Sequence, residues 1–276
     1  MVSTRWLKRA LLALTPLVLF ELLLVFRAPN LLFAPRFWAE EGGVFYAFAY
    51  AHGFFESLAF VYGKNGYFNL VTNVSTALAA HTAPPEFAPA VTVGFAWLLQ
   101  TIPLLIVLYG SSTLFINRAD KLVGCQIILL APTVVDQIWL TTIYSQVFLG
   151  LATLLILFEK LEGATPLRRW SYRGLLVLGG LSGVYTVALQ PLFVLKAWGE
   201  RSRERVVQLG ILCAALLAQI ATFVVTLPRA EFDRVHDVEL SPGYAVYALG
   251  GLADHILRPL LGSGLTDALL PAEAVR

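Results

Sequence analysis

Charged side chains are scarce in this sequence. Asp, Glu, Lys and Arg make up 14% of the 276 residues, whereas hydrophobic residues make up 58%, and the mean hydropathy is +0.72. An average soluble domain has roughly 25% charged residues, so the composition predicts an integral membrane protein. The net charge of +2 is too small to indicate nucleic acid as a partner.

Several common chemical motifs are missing. The two cysteines, Cys125 and Cys213, lie within apolar runs, which argues against a disulfide framework or a cysteine metal cluster. The four histidines lack H-E-x-x-H spacing, and the sequence contains no G-x-S-x-G, no P-loop and no dinucleotide fingerprint. The remaining candidates for chemistry are carboxylates and arginines.

Long apolar runs predict an all-α, polytopic membrane protein, because one helical crossing needs about 20 mostly apolar residues. The candidate spans are 6–26, 87–109, 122–135, 142–158, 174–195 and 206–227. The first run lacks a small-residue cleavage site, so we interpret it as uncleaved. We divide the chain into a transmembrane core, 1–227, and an outer-face segment, 228–276. The chain is then either a small module or the N-terminal part of a longer membrane protein.

Basic residues are concentrated in short linkers, which the positive-inside rule assigns to the cytoplasm. These linkers contain Arg118, Lys121, Lys160, Arg168, Arg169, Arg173, Lys196, Arg201, Arg203 and Arg205. Together with the N-terminal tail they hold 13 of the 20 basic residues. We therefore expect a multi-pass protein of the plasma (inner) membrane with a cytoplasmic N-terminus, and with segments 27–86 and 228–276 outside.

The run 174–195 is expected to be broken. It has the length of a single crossing, yet basic residues flank both ends, and it contains Gly179, Gly180, Gly183 and Pro191. Such residues are tolerated in a membrane mainly where broken helices pack on protein or line a cavity. We predict a pair of short re-entrant-type helices that enters and leaves on the cytoplasmic side. The alternative is one full crossing followed by an inverted last span.

The first outer loop, residues 27–86, is predicted to contain interfacial helices. Aromatic residues alternate with alanine over 44–60, which suits a helix lying in the membrane interface. The sequence predicts a turn at residues 64–67 and another short helix at 70–80. A loop of this length is usually functional or disordered, and its composition favours function over disorder. An ordinary linker lying along the membrane is the plain alternative.

Two adjacent carboxylates, Glu40 and Glu41, lie in this loop within "FWAEEGGVF". On a helix they would point about 100° apart, so one can face a site while the other faces water. Partial desolvation at an interface raises the pKa of a carboxylate toward the range useful for a general base. The structural alternative is an acidic pair in a first helical turn.

A second acidic candidate, Asp136, lies in the short outer loop "VVDQIWLTTIYSQ". Its plain alternative is a capping or loop role. Carboxylates from the two outer loops would suit a divalent cation in an oxygen-ligand site. Within the first apolar run, Glu21 is a functional candidate because an ionisable group is costly there.

Outward-facing cations are candidates for binding a lipid phosphate. They are Arg36, Lys64, Arg229, Arg234 and Arg258. Arginine can grip a phosphate bidentately. The alternative to specific phosphate binding is that these side chains simply contact lipid headgroups.

These segments together resemble the GT-C superfamily of integral membrane glycosyltransferases, which use polyprenyl-phosphate-linked sugars. The resemblance is carried by "FWAEEGGVF" with "GKNGY", by "VVDQIWLTTIYSQ", and by "LGGLSGVYTVALQPLFVLKAW". It implies a GT-C-like fold and transfer of a sugar from a polyprenyl-phosphate donor to an acceptor hydroxyl on the outer face. It also implies that Glu41 is the preferred base, with Glu40 second and Asp136 an auxiliary acid. A divalent cation, Mg or Mn, would be held by Glu41 and Asp136.

The expected partners are the donor lipid and membrane lipid, with no nucleic acid. Two other classes of function stay open. One is a lipid-carrier or small-solute transporter or flippase, in which Glu21 and the broken helices would gate the path. The other is a non-catalytic membrane scaffold.

Overall fold

The computed structural model describes residues 4–130 and 138–226, and within these ranges every regular element is a helix. In chain order they are α1 (Thr4–Arg27), α2 (Pro29–Phe33), a π-helical segment (Glu41–Tyr46), α3 (Ala47–Ala51), α4 (Phe54–Leu58), a 3-10 turn (Gly63–Asn65), α5 (Leu70–Thr82), α6 (Ala88–Tyr109), α7 (Arg118–Leu130), α8 (Ser145–Leu157), α9 (Pro166–Gly180), α10 (Val184–Ala188), α11 (Gln190–Glu200) and α12 (Arg203–Thr226). The predicted all-α class is confirmed for these residues.

Two of the described helices, α6 and α12, are long and apolar enough to cross a membrane, judged by length and composition. With 22 and 24 residues they are about 33 and 36 Å long at 1.5 Å per residue. The hydrocarbon core of a bilayer is about 30 Å thick. Helix α1 also has 24 residues, whereas α8 has 13.

The run 174–195 is broken in the middle. Helix α9 ends at Gly180, Gly183 has a φ of +115°, and α10 and α11 follow. Arg173 on α9 pairs with Glu204 at the start of α12 at 2.5 Å. Helices α9, α10 and α11 thus form a helical hairpin, whose apex is residues 180–184. Because α12 follows directly after α11, the start of α9 and the end of α11 lie on the same side of the molecule. Re-entry of the hairpin into a membrane stays a prediction.

The basic linkers meet at one end of the helices, which we call the basic end. Lys121 Nζ donates to the carbonyls of Leu108 and Gly110 at the end of α6, at 2.8 Å each. Arg168 of α9 donates to the Ser111 hydroxyl at 2.8 Å. The linker after α6, the turn between α8 and α9, and the turn before α12 are therefore neighbours.

A buried polar cluster fixes this end. Arg205, only 2% exposed, donates to the carbonyls of Ile156 (3.2 Å) and Glu159 (2.8 Å) at the end of α8. The Glu159 carboxylate accepts from the Ser111 N–H at 2.7 Å and from the Tyr172 hydroxyl at 2.8 Å. The last carbonyls of a helix need such partners, so the cluster joins the ends of α6 and α8 to α9 and to the start of α12.

The first loop folds onto the helices instead of forming one continuous interfacial helix. The predicted helix over 44–60 is wrong in extent, because His52 and Gly53 are extended and separate α3 from α4. Helix α5 is buried against α6 and the preceding segments. Its Asn73 amide donates to the carbonyls of Leu58 (3.1 Å) and Phe60 (2.7 Å). Helix α5 is therefore a polar core element.

Candidate functional site

The acidic motif begins at a strained backbone position. Ala39 has a φ of +46°, which only glycine adopts without a steric cost. Glu40 precedes the π-helical segment, and Glu41 opens it. A π-turn is rare and occurs frequently at functional sites. This turn directs the two neighbouring carboxylates into different environments.

The Glu41 carboxylate is buried, with 1% of the residue exposed. Its Oε1 accepts a hydrogen bond from the Thr142 N–H at 3.1 Å and another from the Thr142 hydroxyl. Its Oε2 accepts from the Trp38 N–H at 3.3 Å, and Thr92 of α6 faces the same group. Burial raises the pKa of the Glu41 carboxyl above its ordinary value, while the hydrogen bonds from Thr142, Trp38 and Thr92 oppose that rise.

The segment that meets Glu41 is itself held in a strained conformation. Leu140 is buried and has a φ of +57°, which is unfavourable for a side chain with a Cβ. Gln100 of α6 holds it in place: its Oε1 accepts from the Leu140 N–H at 3.2 Å, and its Nε2 donates to the Ile138 carbonyl at 3.0 Å. The second-loop segment is therefore fixed in position against the acidic motif.

Glu40 lies in a different environment. Its side chain is partly exposed, and no hydrogen bond reaches its carboxylate from the residues that the structure describes. Tyr67 lies close to it: burial raises the pKa of the Tyr67 phenol, and the nearby Glu40 carboxylate adds to that rise. The Tyr67 hydroxyl accepts from Gln146 Nε2 of α8 at 3.2 Å. Glu40 is thus the accessible carboxylate of the pair.

The apex of the helical hairpin formed by α9, α10 and α11 contacts the segment that follows Tyr67. Gln219 of α12 accepts from the Phe68 N–H at 2.9 Å and donates to the carbonyls of Phe68 (3.1 Å) and Gly180 (3.0 Å). Ser182 Oγ accepts from the Val71 N–H at 3.0 Å. The hairpin apex therefore supports the turn that carries Tyr67 toward Glu40.

Two of the predicted phosphate-binding cations are near the acidic motif in the chain. Arg36 is exposed, its guanidinium lies 5.3 Å from the Trp38 ring centroid, and it lines an open cleft of about 470 Å³ with Phe37, Trp38 and Ala39. Lys64 is exposed on the 3-10 turn before Tyr67. Arg229, Arg234 and Arg258 lie outside the described residues.

The predicted metal site rests on Glu41 and Asp136. Asp136 lies outside the described residues, and the Glu41 carboxylate already accepts from the Trp38 N–H and from the N–H and hydroxyl of Thr142. Among residues 4–130 and 138–226, no three His, Cys, Asp or Glu side chains are grouped to hold a metal ion. The metal site stays a prediction.

Glu21 has partners on α6. Its carboxylate accepts from the Trp97 indole N–H and, at 3.3 Å, from the Thr101 hydroxyl. These contacts join α1 to α6. The arrangement is that of a satisfied carboxylate between two helices, which is how ionisable groups in apolar helices are usually accommodated.

Sequence reasoning missed the glutamines that organise the site. Gln100 of α6, Gln146 in the first turn of α8 and Gln219 of α12 are each followed or flanked by apolar residues, and each contacts a loop segment. A polar side chain within an apolar run was the available signal.

The arrangement offers one accessible carboxylate beside a tyrosine and one buried carboxylate that joins two loops. No protein-family model, curated protein or solved structure matches this chain.

Proposed function

We propose that this chain is a polytopic membrane glycosyltransferase with a GT-C-like fold. It would transfer a sugar from a polyprenyl-phosphate donor to an acceptor hydroxyl on the outer face, with a first-loop carboxylate as the base. The observation that carries the proposal is the hydrogen-bonded contact between Glu41 and Thr142. It brings together the first-loop and second-loop motifs on which the resemblance depends, and it leaves Glu40 accessible.

Exposed apolar surface supports the membrane placement. Only 22% of the most apolar stretch of α12 is buried, and large side chains on this helix such as Leu217 (67%) and Val225 (68%) are exposed. The core helix of a soluble protein would bury such residues, whereas a lipid-facing helix would not.

The charge distribution supports the proposed orientation. The basic linkers meet at the basic end, and the acidic motif lies at the opposite end of α6, beside Thr92. The positive-inside rule assigns the basic end to the cytoplasm. The acidic motif would then lie at the outer face of a plasma (inner) membrane, with the N-terminus in the cytoplasm.

Glu40 is the carboxylate best placed to act as the base. In the proposed reaction the acceptor oxygen forms a bond to the anomeric carbon, and the bond from that carbon to the donor phosphate oxygen breaks. The electron pair of that bond leaves on the phosphate, and the hydroxyl proton passes to Glu40. Arg36 and Lys64 would stabilise the phosphate charge. Glu41 would hold the two loops together.

The test is transfer of radiolabelled sugar from polyprenyl-phosphate sugars in membranes with matched amounts of wild type and variants. Glu40→Gln should lose roughly 100-fold or more of the activity, as expected for removal of a general base, with an unchanged Tm. Glu56→Gln is the matched control, because Glu56 is an exposed carboxylate on α4 in the same loop, and it should transfer normally.

The same experiment distinguishes Glu40 from the base preferred on sequence grounds. If Glu41→Gln abolishes transfer at unchanged Tm while Glu40→Gln stays active, Glu41 is the base. If the wild type transfers sugar from no donor, the glycosyltransferase proposal is wrong. The contacts of Glu21 with Trp97 and Thr101 make it a helix-packing group, which weakens the transporter alternative.

A further inference from the structure

An apolar groove lies between α9 and α12. It has a volume of about 500 Å³, and its lining includes Trp170, Arg173, Gly174, Val177, Val207 and Ile211. Along α9, residues 170–178 cover about 12 Å at 1.5 Å per residue. Leu70, which also lines the groove, donates its N–H to the Leu181 carbonyl at the hairpin apex. The groove therefore runs from the basic end toward the apex.

The mouth of the groove at the basic end combines exposed apolar side chains with a fixed cation. Leu167 and Trp170, three residues apart on α9, are 77% and 67% exposed. The Arg173 guanidinium lies 4.7 Å from the Trp170 ring centroid, and its Nε and Nη2 donate to Glu204 at 3.0 and 2.5 Å. Trp side chains with an apolar body and a polar tip are typical of the headgroup level of a bilayer.

The surrounding charge favours an anionic partner. The basic end carries the ten linker cations named above and five acids, which are Asp120, Glu159, Glu162, Glu200 and Glu204. Glu200 and Glu204 are already in ion pairs with Lys196, Arg205 and Arg173. A surplus of positive charge beside an apolar groove is complementary to an anionic lipid headgroup with its acyl chain.

We infer that this groove binds one acyl chain of an anionic phospholipid from the leaflet at the basic end, with the headgroup among the linker cations. The inference rests on the membrane placement in the proposed function and does not depend on glycosyl transfer. The donor lipid of the proposed reaction would be used at the opposite end, where Glu40 lies.

Gly174 allows a selective test. Gly174 lines the groove, and a Cβ placed on it meets no other heavy atom within 4 Å. Gly174→Leu therefore adds a side chain at the groove from an open position, and it exchanges glycine for a better helix former. Gly94→Leu on α6 is the matched control, since a Cβ there also meets nothing within 4 Å. Purified protein is equilibrated with equal amounts of phosphatidylglycerol and phosphatidylcholine, and the retained lipid is counted by native mass spectrometry.

The wild type and Gly94→Leu should retain phosphatidylglycerol in preference to phosphatidylcholine. Gly174→Leu should retain it roughly tenfold more weakly, because the added side chain displaces part of the acyl chain from the groove. Arg169→Gln, which removes one of the linker cations at the basic end, should reduce the preference for the anionic lipid without abolishing retention.

Equal retention of the two lipids by the wild type, or equal retention of phosphatidylglycerol by Gly174→Leu and Gly94→Leu, would overturn the inference. Displacement of phosphatidylglycerol by polyprenyl phosphate would also overturn it, since the groove would then take the donor. Sugar transfer by a wild type that retains no lipid would reject the groove and leave the proposed function standing. Selective retention of phosphatidylglycerol without any sugar transfer would support the groove and reject the proposed glycosyl transfer.

Discussion

Thr142 donates to the Glu41 carboxylate with both its N–H and its hydroxyl, and the two residues are 101 positions apart in the chain. This pair joins the acidic motif of the first loop to the segment before α8. A buried carboxylate is stable only with such donors. The relationship therefore determines which of the two adjacent glutamates is left accessible.

Removing the Thr142 hydroxyl should destabilise the protein. Thr142→Val keeps the shape and the N–H but deprives Glu41 of one donor in a buried site, which costs about 1–3 kcal/mol. Thr142→Ser keeps the hydroxyl and is the matched control. Thermal unfolding in detergent should give a lower Tm for the valine variant only. Equal Tm values for wild type and Thr142→Val would mean that the hydroxyl contributes nothing to stability.

The raised pKa of Glu41 predicts a pH dependence of stability. Its ordinary pKa is 4.5, and burial raises the pKa in the folded chain. The folded state therefore holds this proton more tightly than the unfolded state. The resulting stabilisation is complete below the unfolded pKa and is lost as the pH rises through the folded pKa.

Glu41→Gln has no proton to lose, so the Tm of the wild type should fall relative to that of Glu41→Gln as the pH rises above 4.5. Unfolding scans of both proteins at several pH values measure this difference. The control variant Glu56→Gln keeps Glu41, so its Tm should fall relative to that of Glu41→Gln in the same way as the wild type's. A Tm difference that stays constant with pH would contradict the raised pKa.

The helices and the break at Gly183 were predictable because local patterns determine them. Apolar runs long enough to span a bilayer gave α6 and α12, and glycines inside 174–195 indicated the interruption after Gly180. Both signals lie within about 20 residues of sequence, which is the scale on which helix formation is decided.

The site was predictable only in part, because its geometry depends on contacts between distant segments. The pattern "AEEGG" identified two carboxylates, and the 100° offset between them was expected. Which one is buried depends on Thr142, and the position of Thr142 depends on Gln100, which holds Ile138 and Leu140. No spacing in the sequence encodes these pairings.

Gln219 should be essential for the contact between the first loop and the hairpin apex. Gln219→Leu removes an acceptor for the Phe68 N–H and a donor to the carbonyls of Phe68 and Gly180. Unpaired buried backbone groups cost about 1–3 kcal/mol each. We expect a loss of at least about 2 kcal/mol in the free energy of unfolding, with faster amide exchange over 66–71 and 180–184.

Gln190→Leu is the control for that change, because the Gln190 amide contacts only the Cys213 sulfur, at 3.1 Å, among the described hydrogen bonds. A weak acceptor of this kind contributes little. Comparable exchange rates in both variants would show that the apex is held by other contacts, such as that of Ser182 with Val71.

Two glycines with positive φ differ in the space around them and in the strain that a side chain would meet. Gly163 has a φ of +71° and open space around its Cα, whereas a Cβ at Gly183, where φ is +115°, would overlap Gln146 Oε1 and lie 2.7 Å from Gln146 Cδ. Gly163→Ala should cost only the conformational strain of about 1–2 kcal/mol. Gly183→Ala should cost more for two reasons. A φ of +115° with a ψ of −168° is a conformation that essentially only glycine adopts, and Gln146 must move, so that its bond to Tyr67 is lost.

The double variant Gly183→Ala with Gln146→Ala tests the cause. Removing the Gln146 amide clears the space that a side chain at position 183 needs. Gln146→Ala should therefore be less destabilising in the Gly183→Ala background than in the wild type. Chemical denaturation of the four proteins gives this coupling free energy. Additive losses would mean that strain at position 183 alone determines the effect, and that the hairpin apex does not need Gln146 in its present position to form.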